Sequence, residues 1–393
     1  MSAAVTITLG KIMATKIGSV DPSKFADEVF DLYSIPAFDK GQPDIVEGAK
    51  IGSAKQIVKS GDVLLSKIVP HIRRSWIVGE DRGRRLIASG EWIVFRGDCI
   101  YPGYLRHVLV GDPFHIQFMS TVSGVGGSLL RARPTHVANI AINLPSLPEQ
   151  RRIAAALDKA EELRAKRRST LALLDEYNQS IFIEMFGDTV TNPKGWSETI
   201  SLGEVADIVS GVTKNGKLNG KVTREIPYLA VVNVQDKSLN LSVVKSIEAT
   251  EAEINRYRLQ KGDLLLTEGG DPDKLGRGTL WNEELPECIH QNHIFRVRLT
   301  TDKIHPFFLN WLVGSQRGKK YFLRSAKQTT GIASINMTQL RGFPLLLPPV
   351  ALQHEFARRI AAVEILKASH RASLAELDAL FAALQYRAFR GEL

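Results

Sequence analysis

Two long segments of this chain are copies of one another, and they limit its architecture more than any other feature. "LPSLPEQRRIAAALDKAEELRAKRRSTLALLDEYNQSIFIEMF" (Leu144 to Phe186) aligns without a gap with "LPPVALQHEFARRIAAVEILKASHRASLAELDALFAALQYRAF" (Leu347 to Phe389), at a constant offset of 203 (347 − 144). Pro145 meets Pro348, Gln150 meets Gln353, Glu161 meets Glu364, Arg168 meets Arg371, and Leu174-Asp175 meets Leu377-Asp378. Self-similarity at a fixed period signals duplicated structural units. The regions before the helices repeat more loosely. "TLGKI" (Thr8 to Ile12) resembles "SLGEV" (Ser201 to Val205) at an offset of 193, and "KSGDVLLSK" (Lys59 to Lys67) resembles "QKGDLLLTE" (Gln260 to Glu268) at 201. Each half is therefore a variable globular domain followed by a helix of fixed length, which divides the chain into 1–143, 144–187, 188–346 and 347–393.

Steps of four and three along the first copy pick out Ile153, Leu157, Ala160, Arg164, Arg167, Leu171, Leu174, Asn178, Ile181 and Met185. The same positions in the second are Phe356, Ile360, Val363, Lys367, His370, Leu374, Leu377, Phe381, Leu384 and Ala388. This is a heptad seam, apolar at its ends and polar in the middle. Pro148 suits a first helical turn and Gly187 a helix end, bracketing a rod of about 57 Å at about 1.5 Å per residue. Such a stripe cannot be buried by one helix alone. The first helix leads from domain one to domain two, so a second helix that pairs with it must run back. The expected product is an antiparallel coiled coil with a pseudo-two-fold repeat, its C-terminus returned towards the N-terminus.

The globular parts read as mixed α and β. Short apolar runs such as "DVLLSKIV", "EWIVFRG", "IPYLAVVNV", "DLLLTE" and "HIFRVRL" are bounded by Gly, Asp and Pro, as strands are. "PFFLNWLVGSQRGKKYFLRSA" (Pro306 to Ala326) reads as helices interrupted near Gly314 to Gly318, with "YPGYLRHVLVGDPF" (Tyr101 to Phe114) as a shorter counterpart. The expected fold class is α+β: two mixed α/β domains separated by two long helices.

A length of 393 residues is enough for two ordinary domains. The 51 Lys and Arg exceed the 42 Asp and Glu, a net charge of +9 that suits a polyanionic partner. Only Cys99 and Cys288 occur, which excludes a disulfide scaffold and fits a reducing compartment. The start, "MSAAVTITLGK", lacks a basic segment followed by an apolar run, and "FPLLLPPVAL" (Phe343 to Leu352) is too short and proline-broken to cross a bilayer. A soluble cytoplasmic protein is expected, with no membrane partner.

A pseudo-two-fold object with basic domains at the ends of a spacer suits duplex DNA, whose symmetric readers place half-sites about 34 to 36 Å apart or at multiples of that. The spacer would set the gap between two half-sites, and unlike domains would read unlike sequences. "RAKRR" (Arg164 to Arg168) reads as a solvated helix face or a partner surface before a DNA contact.

The central "LPSLPEQRRIAAALDKAEELRAKRR" with "LLDEYNQSIFIEMFGD", followed by "LLLTEGGDPDKLGRGTLW", "CIHQNHIFRVR" and the closing "LPP…Q…LDALFAALQYRAFRGEL", resembles the specificity subunit of type I restriction-modification enzymes. The resemblance runs through the whole chain in order. The second helix departs from it by reading "LPPVALQHEF" where a second LPxLPEQ pattern could stand. The resemblance implies a non-catalytic subunit with two target-recognition domains, each reading half of a bipartite, gapped DNA site. It implies two methyltransferase subunits docked on the helices, a restriction subunit joining that assembly, and S-adenosylmethionine, ATP and Mg²⁺ held by those partners, with no cofactor or metal in this chain. The alternatives are a self-contained DNA-modifying enzyme or a coiled-coil scaffold. The first lacks the NPPY-like or DPPY-like segment of amino methyltransferases, since "TNPKGW" (Thr191 to Trp196) carries only the Asn-Pro and reads as a turn into domain two.

Candidate DNA-binding residues fall in four segments. "KIVPHIRRSWIVGEDRGRR" (Lys67 to Arg85) offers Arg73, Arg74, Arg82, Arg84 and Arg85 as a phosphate-contacting rim with arginine suited to guanine. "EGGDPDKLGRG" (Glu268 to Gly278) sets Lys274 and Arg277 among glycines that permit close backbone approach, and it has no phosphate-loop pattern. In "CIHQNH" (Cys288 to His293), Gln291 and Asn292 suit adenine edges, while one Cys and two His fall short of the usual four zinc ligands. On a strand, His290 and Asn292 would face one side, and Gln291 and His293 the other. "SAKQTTGIASINMTQ" (Ser325 to Gln339) offers Lys327, Gln328, Thr329 and Thr330 on a polar loop. "SGVGGS" (Ser123 to Ser128) lacks the strand-to-helix context of a nucleotide loop.

Overall fold

The long segments fold as helices over Leu147–Phe186 and Val350–Arg390. The computed structural model describes residues 5–14, 16–123, 130–213, 222–271, 274–329, 332–390 and 392. The chain forms two compact units, one of residues 1–170 with 370–393 and one of residues 171–369, so each unit holds a globular domain and a part of each long helix.

Within each unit the two helical segments run antiparallel. In unit one Arg164 Nε lies 2.5 Å from Asp378 Oδ1, and Arg167 Nη1 donates to His370 Nδ1 at 2.8 Å. In unit two Lys367 Nζ lies 2.6 Å from Asp175 Oδ1, and Asn178 Nδ2 donates to Glu364 Oε1 at 3.1 Å. The Arg164–Asp378 and Lys367–Asp175 pairs exchange under the 203-residue shift, a whole number of heptads. The polar middle of the seam is thus a set of inter-helix ion pairs. Of "RAKRR", Arg164 and Arg167 face the neighbouring helix, and Arg168 reaches Asp378 at 3.0 Å.

The seam is apolar where each helix meets its domain. In unit one Ile153, Leu157 and Ala160 are buried with Phe381 and Ala388, against Tyr104, Leu105 and Val108 of the domain, and Leu384 packs alongside. In unit two Ile181, Phe182, Met185 and Phe186 are buried with Phe356, Ile360 and Val363 against Phe308 and Trp311, and Leu174 packs alongside. Leu171, Leu374 and Leu377 are half-buried. A helix this polar in composition is held by packing of that stripe more than by intrinsic propensity.

The first helix stops for local reasons. Gly187 takes a left-handed φ of +79°, and the turn beyond it returns two donors to the helix end. Lys194 Nζ donates to the Glu184 and Met185 carbonyls at 2.7 and 2.9 Å, and Trp196 Nε1 to that of Phe186 at 2.9 Å. These satisfy carbonyls that have no partner inside the helix. "TNPKGW" is accordingly the turn entering domain two.

One side chain ties each domain to its helix. Gln150 is fully buried, accepting from the Tyr101 amide at 2.8 Å and donating to the Cys99 and Pro145 carbonyls at 3.0 and 2.8 Å. Gln353, also fully buried, accepts from the His305 amide at 2.8 Å and donates to the Lys303 and Pro348 carbonyls at 3.2 and 2.8 Å. A primary amide supplies both an acceptor and donors, so both joints meet the demand that buried polar groups be paired.

The domains share a small sheet. In unit one Val63–Ser66 pairs with Trp92–Phe95 and Ser75–Ile77; in unit two Leu264–Thr267 pairs with Ile294–Leu299 and Gly278–Leu280. The repeated Gly-Asp opens the middle strand in each. Asp62 and Asp263 are almost wholly buried and accept in bidentate fashion from Arg96 (2.6 and 2.6 Å) and Arg298 (2.7 and 2.7 Å). Around this common sheet the domains diverge. Unit one adds a five-stranded sheet in the order Ser19–Val20, Lys55–Ile57, Arg85–Ala88, Val29–Tyr33, Asp44–Glu47. Unit two adds Lys245–Ala249, Arg224–Leu229 and Ile289–His290, and a second three-stranded layer in the order Gly269–Gly270, Ile332–Ser334, Lys327–Thr329. Pro306–Val313 and Gln316–Ser325 are the interrupted helices of domain two. Their counterparts in domain one, Pro102–Val110 and Asp112–Met119, run five residues beyond the Phe114 expected from sequence. Among the described residues, no helix is long and apolar enough to cross a membrane.

Candidate nucleic-acid interface

In domain one, four of the five candidate arginines are engaged by acids of the same domain. Arg73 lies 2.6 Å from Asp112, and Arg74 is bidentate on Asp39 at 3.0 and 3.2 Å with its side chain only 11% exposed. Arg84 meets the buried Asp31 at 2.6 Å. Arg85 is bidentate on Glu28 at 2.5 Å and lies over the rings of Phe25 and Phe30, and its hydrogen bonds hold the Glu28 carboxyl below its ordinary range. Arg82 is exposed and makes no ion pair with a described residue. Arg84 and Arg85 border an open cleft of about 580 Å³ with Lys59, Ser60 and Asp81. The segment is basic in sequence, but its paired acids, drawn from a strand, a loop and two helices 35 to 57 residues away, cancel much of the field it would project.

In domain two, the fold brings two separately chosen segments into one layer. Gly269–Gly270, leading into the Lys274 and Arg277 loop, pairs with Ile332–Ser334, and that strand pairs with Lys327–Thr329. Lys327 is exposed at the layer's edge; Thr330 lies outside the described residues. Lys274 is paired with Asp271, whose carboxyl it holds below the usual range. Arg277 Nη1 is 3.4 Å from Gln235 Oε1, while its buried Nε has no partner among the described residues. Gly276 has φ +76°, and a Cβ there would come within 3.0 Å of the Phe322 ring and the Val313 carbonyl, so the loop closes tightly on the helix Gln316–Ser325.

Beyond the strand Ile289–His290, Gln291 makes an isolated parallel bridge with Val212 and Asn292 lies in a turn. The strand ends at His290 and turns, with the Gln291 amide donating to Leu229 and the Asn292 amide to Val212, both at 2.9 Å. The alternation expected as far as His293 therefore stops after Gln291. His290 is fully buried, with Nδ1 2.9 Å from the Ile294 carbonyl, and burial pushes its pKa down to about 4. His293 turns outward to Glu268 at 2.6 Å, and the buried Cys288 thiol is pushed up to about 12. Among the described residues one trio with metal-ligand spacing stands elsewhere, His107 with Asp158 and Glu161. Arg106 Nη2 already lies within 2.9 to 3.1 Å of all three, so a guanidinium occupies the position a cation would take. Most of "SGVGGS", from residue 124 on, lies outside the described residues.

Sequence reasoning did not select the outer face of Gln316–Ser325. Lys319, Lys320 and Arg324 are exposed there and Lys327 follows, inside a stretch from Lys303 to His354 that contains no acidic residue. The signal was present as a local charge imbalance that the overall net charge of +9 does not locate.

One unit built twice, with the same amide joint and a matching three-stranded core of the central sheet but different outer surfaces, defines a duplicated two-domain protein carried on paired helices. The sequence profile of the type I restriction modification DNA specificity domain matches residues 193–379. The chain is 26% identical over 338 residues to the type I restriction enzyme StySPI specificity subunit of Salmonella potsdam, covering 81% of this chain and 72% of that one. It is 24% identical over 310 residues to the EcoKI specificity subunit of Escherichia coli K12, covering 75% and 66%. Among solved structures, a type I restriction-modification system chain superposes over 100% of this chain and 99% of its own with a TM-score of 0.59 at 22% identity. The S subunit from M. genitalium covers 98% and 96%, with a TM-score of 0.55 at 12% identity. The chain is thus similar over most of its length to specificity subunits of type I restriction-modification systems, and residues 193–379 match their DNA specificity domain.

Proposed function

We propose that this chain reads a bipartite, gapped sequence in double-stranded DNA, one half-site per domain, without catalysing a reaction itself. The observation that carries the reading is the duplicated unit: identical joints hold two domains whose exposed surfaces differ, an arrangement suited to two unlike half-sites. The paired helices act as spacer and as docking surface for two methyltransferase subunits, with restriction subunits joining that assembly. S-adenosylmethionine, ATP and Mg²⁺ belong to those partners.

Sequencing the sites methylated in cells that carry this chain and its methyltransferase gives both half-sites and the gap. Two unlike half-sites at fixed spacing are expected, and methylation without sequence preference counts against the reading. Inserting one heptad into both helices lengthens the gap and leaves the half-sites unchanged; an unchanged gap removes the spacer role. Methyl transfer by the purified chain alone would make it an enzyme.

A further inference from the structure

The helix Gln316–Ser325 has an inner face fixed by packing and an outer face whose cations make no ion pair with a described residue. On the inner face Phe322 is fully buried, and Gly318 is so close to the preceding helix that a Cβ would lie 1.8 Å from the Val313 carbonyl. Tyr321 donates to the Gln339 carbonyl at 2.9 Å, and Arg317 reaches Glu198 at 2.7 Å and the Thr189 and Pro344 carbonyls at 3.2 Å. The helix cannot roll, so its outer residues keep their direction.

Outward stand Lys319, Lys320 and Arg324, with Lys327 at the start of the adjoining strand, all exposed and none ion-paired to a described residue. Like charges at i and i+4, as Lys320 and Arg324 are, cost an isolated helix about 0.2 to 0.5 kcal/mol, and cations in its first half oppose the macrodipole. The nearest acids in sequence, Asp302 and Glu355, lie outside the whole segment. A surface that keeps four exposed cations without an ion pair to a described residue, with Asp188 alone among acids lining the cleft beside Lys320, matches a polyanion. Lysine ammonium groups are point charges suited to phosphate oxygens, and they lack the planar fork that reads a guanine edge. The strand Lys327–Thr329 lies in one layer with Gly269–Gly270, which leads into the Lys274 loop, so Lys327 and that loop belong to the same layer. The counterpart helix of domain one, Asp112–Met119, has no Lys or Arg and exposes Ile116 instead.

We propose that Lys319, Lys320, Arg324 and Lys327 form a phosphate-backbone anchor for duplex DNA, present in domain two and lacking in the matching helix of domain one. The anchor rests on the DNA-reading function proposed above and is separable from it. It holds the duplex without reading bases.

The test uses the chain in complex with its methyltransferase, with Lys319→Gln, Lys320→Gln and Arg324→Gln combined. Binding is measured by fluorescence anisotropy across a salt series, to a duplex carrying the methylated site and to a scrambled one. The slope of log K against log salt becomes shallower by about 0.9 for each cation removed, so by about 2.7 in total. Both duplexes weaken in proportion, the methylated sequence is unchanged, and the Lys319→Arg, Lys320→Arg variant keeps the wild-type slope. An unchanged slope overturns the anchor. So does weakening confined to the specific duplex, which makes these residues base readers, or loss of the methyltransferase from the complex, which makes the face a protein interface. A wild-type complex with no preference between the duplexes sinks the reading function instead, and the slope still decides the anchor.

Discussion

In unit one the helix Pro102–Val110 adds charge to its apolar contact with the long helix: buried His107 has Nε2 2.8 Å from Asp158, and Arg106 reaches Asp158 and Glu161 at 2.9 Å. In unit two the matching helix Pro306–Val313 meets it through rings, Trp311 lying 5.6 Å from Phe182 and 5.4 Å from Phe356, and Phe308 4.6 Å from Phe186. Both rest on the same glutamine joint. The difference shows that the joint fixes where a domain sits, while the surrounding contact is free to be ionic or aromatic. An aromatic contact keeps its energy at any pH, whereas an ionic one is exposed to titration and salt.

The sharpest break of this comparison is Phe356→Ala, which removes a fully buried ring that touches Phe182, Phe186 and Trp311. It is expected to cost about 3 to 5 kcal/mol. Hydrogen exchange resolved by segment should show the loss in unit two with unit one intact.

Acid comes next. His290 and His107 both have pKa values depressed by burial, so the unfolded chain binds protons more readily than the folded one. Stability from them is fully present above the unfolded value near 6.5 and is lost as pH falls. For His290, titrating down to about 4 in the fold, about 3 kcal/mol should disappear between those limits. A pH series of unfolding by denaturant checks this, and His290→Gln should flatten the unit-two part of the curve.

Gln150→Ala and Gln353→Ala each strand a buried amide N–H and two carbonyls. Each should cost about 2 to 3 kcal/mol, and nearly the same amount in the two units despite their unlike surroundings. Unequal losses would mean that the ionic or aromatic contact, and not the amide, carries the attachment. The smallest effect belongs to the seam: Arg164→Met with Asp378→Leu, and Lys367→Met with Asp175→Leu, should each change stability by about 1 kcal/mol or less. A double-mutant cycle on each pair measures it.

Periodicity made the seam legible, because burial of a stripe is written in spacing: Ile153, Leu157, Phe356 and Ile360 lie where steps of four and three put them. Alignment of Gln150 with Gln353 marked that position without revealing its use, since its partners are backbone atoms some fifty residues away. The His107 cluster left no trace: its members are 51 and 55 residues apart, and the second repeat carries Trp311 where a matching histidine would stand. Nor can a list of arginines tell which are spent on acids across a sheet, as Arg74, Arg84 and Arg85 are.

Gln150 and Gln353 grip only main-chain atoms of the domains they hold, and the gripped residues are Cys99 and Tyr101 in one case, Lys303 and His305 in the other. The attachment is therefore a socket indifferent to what is plugged into it. The side chains at those four positions can be exchanged without any compensating change in the glutamine that holds the domain.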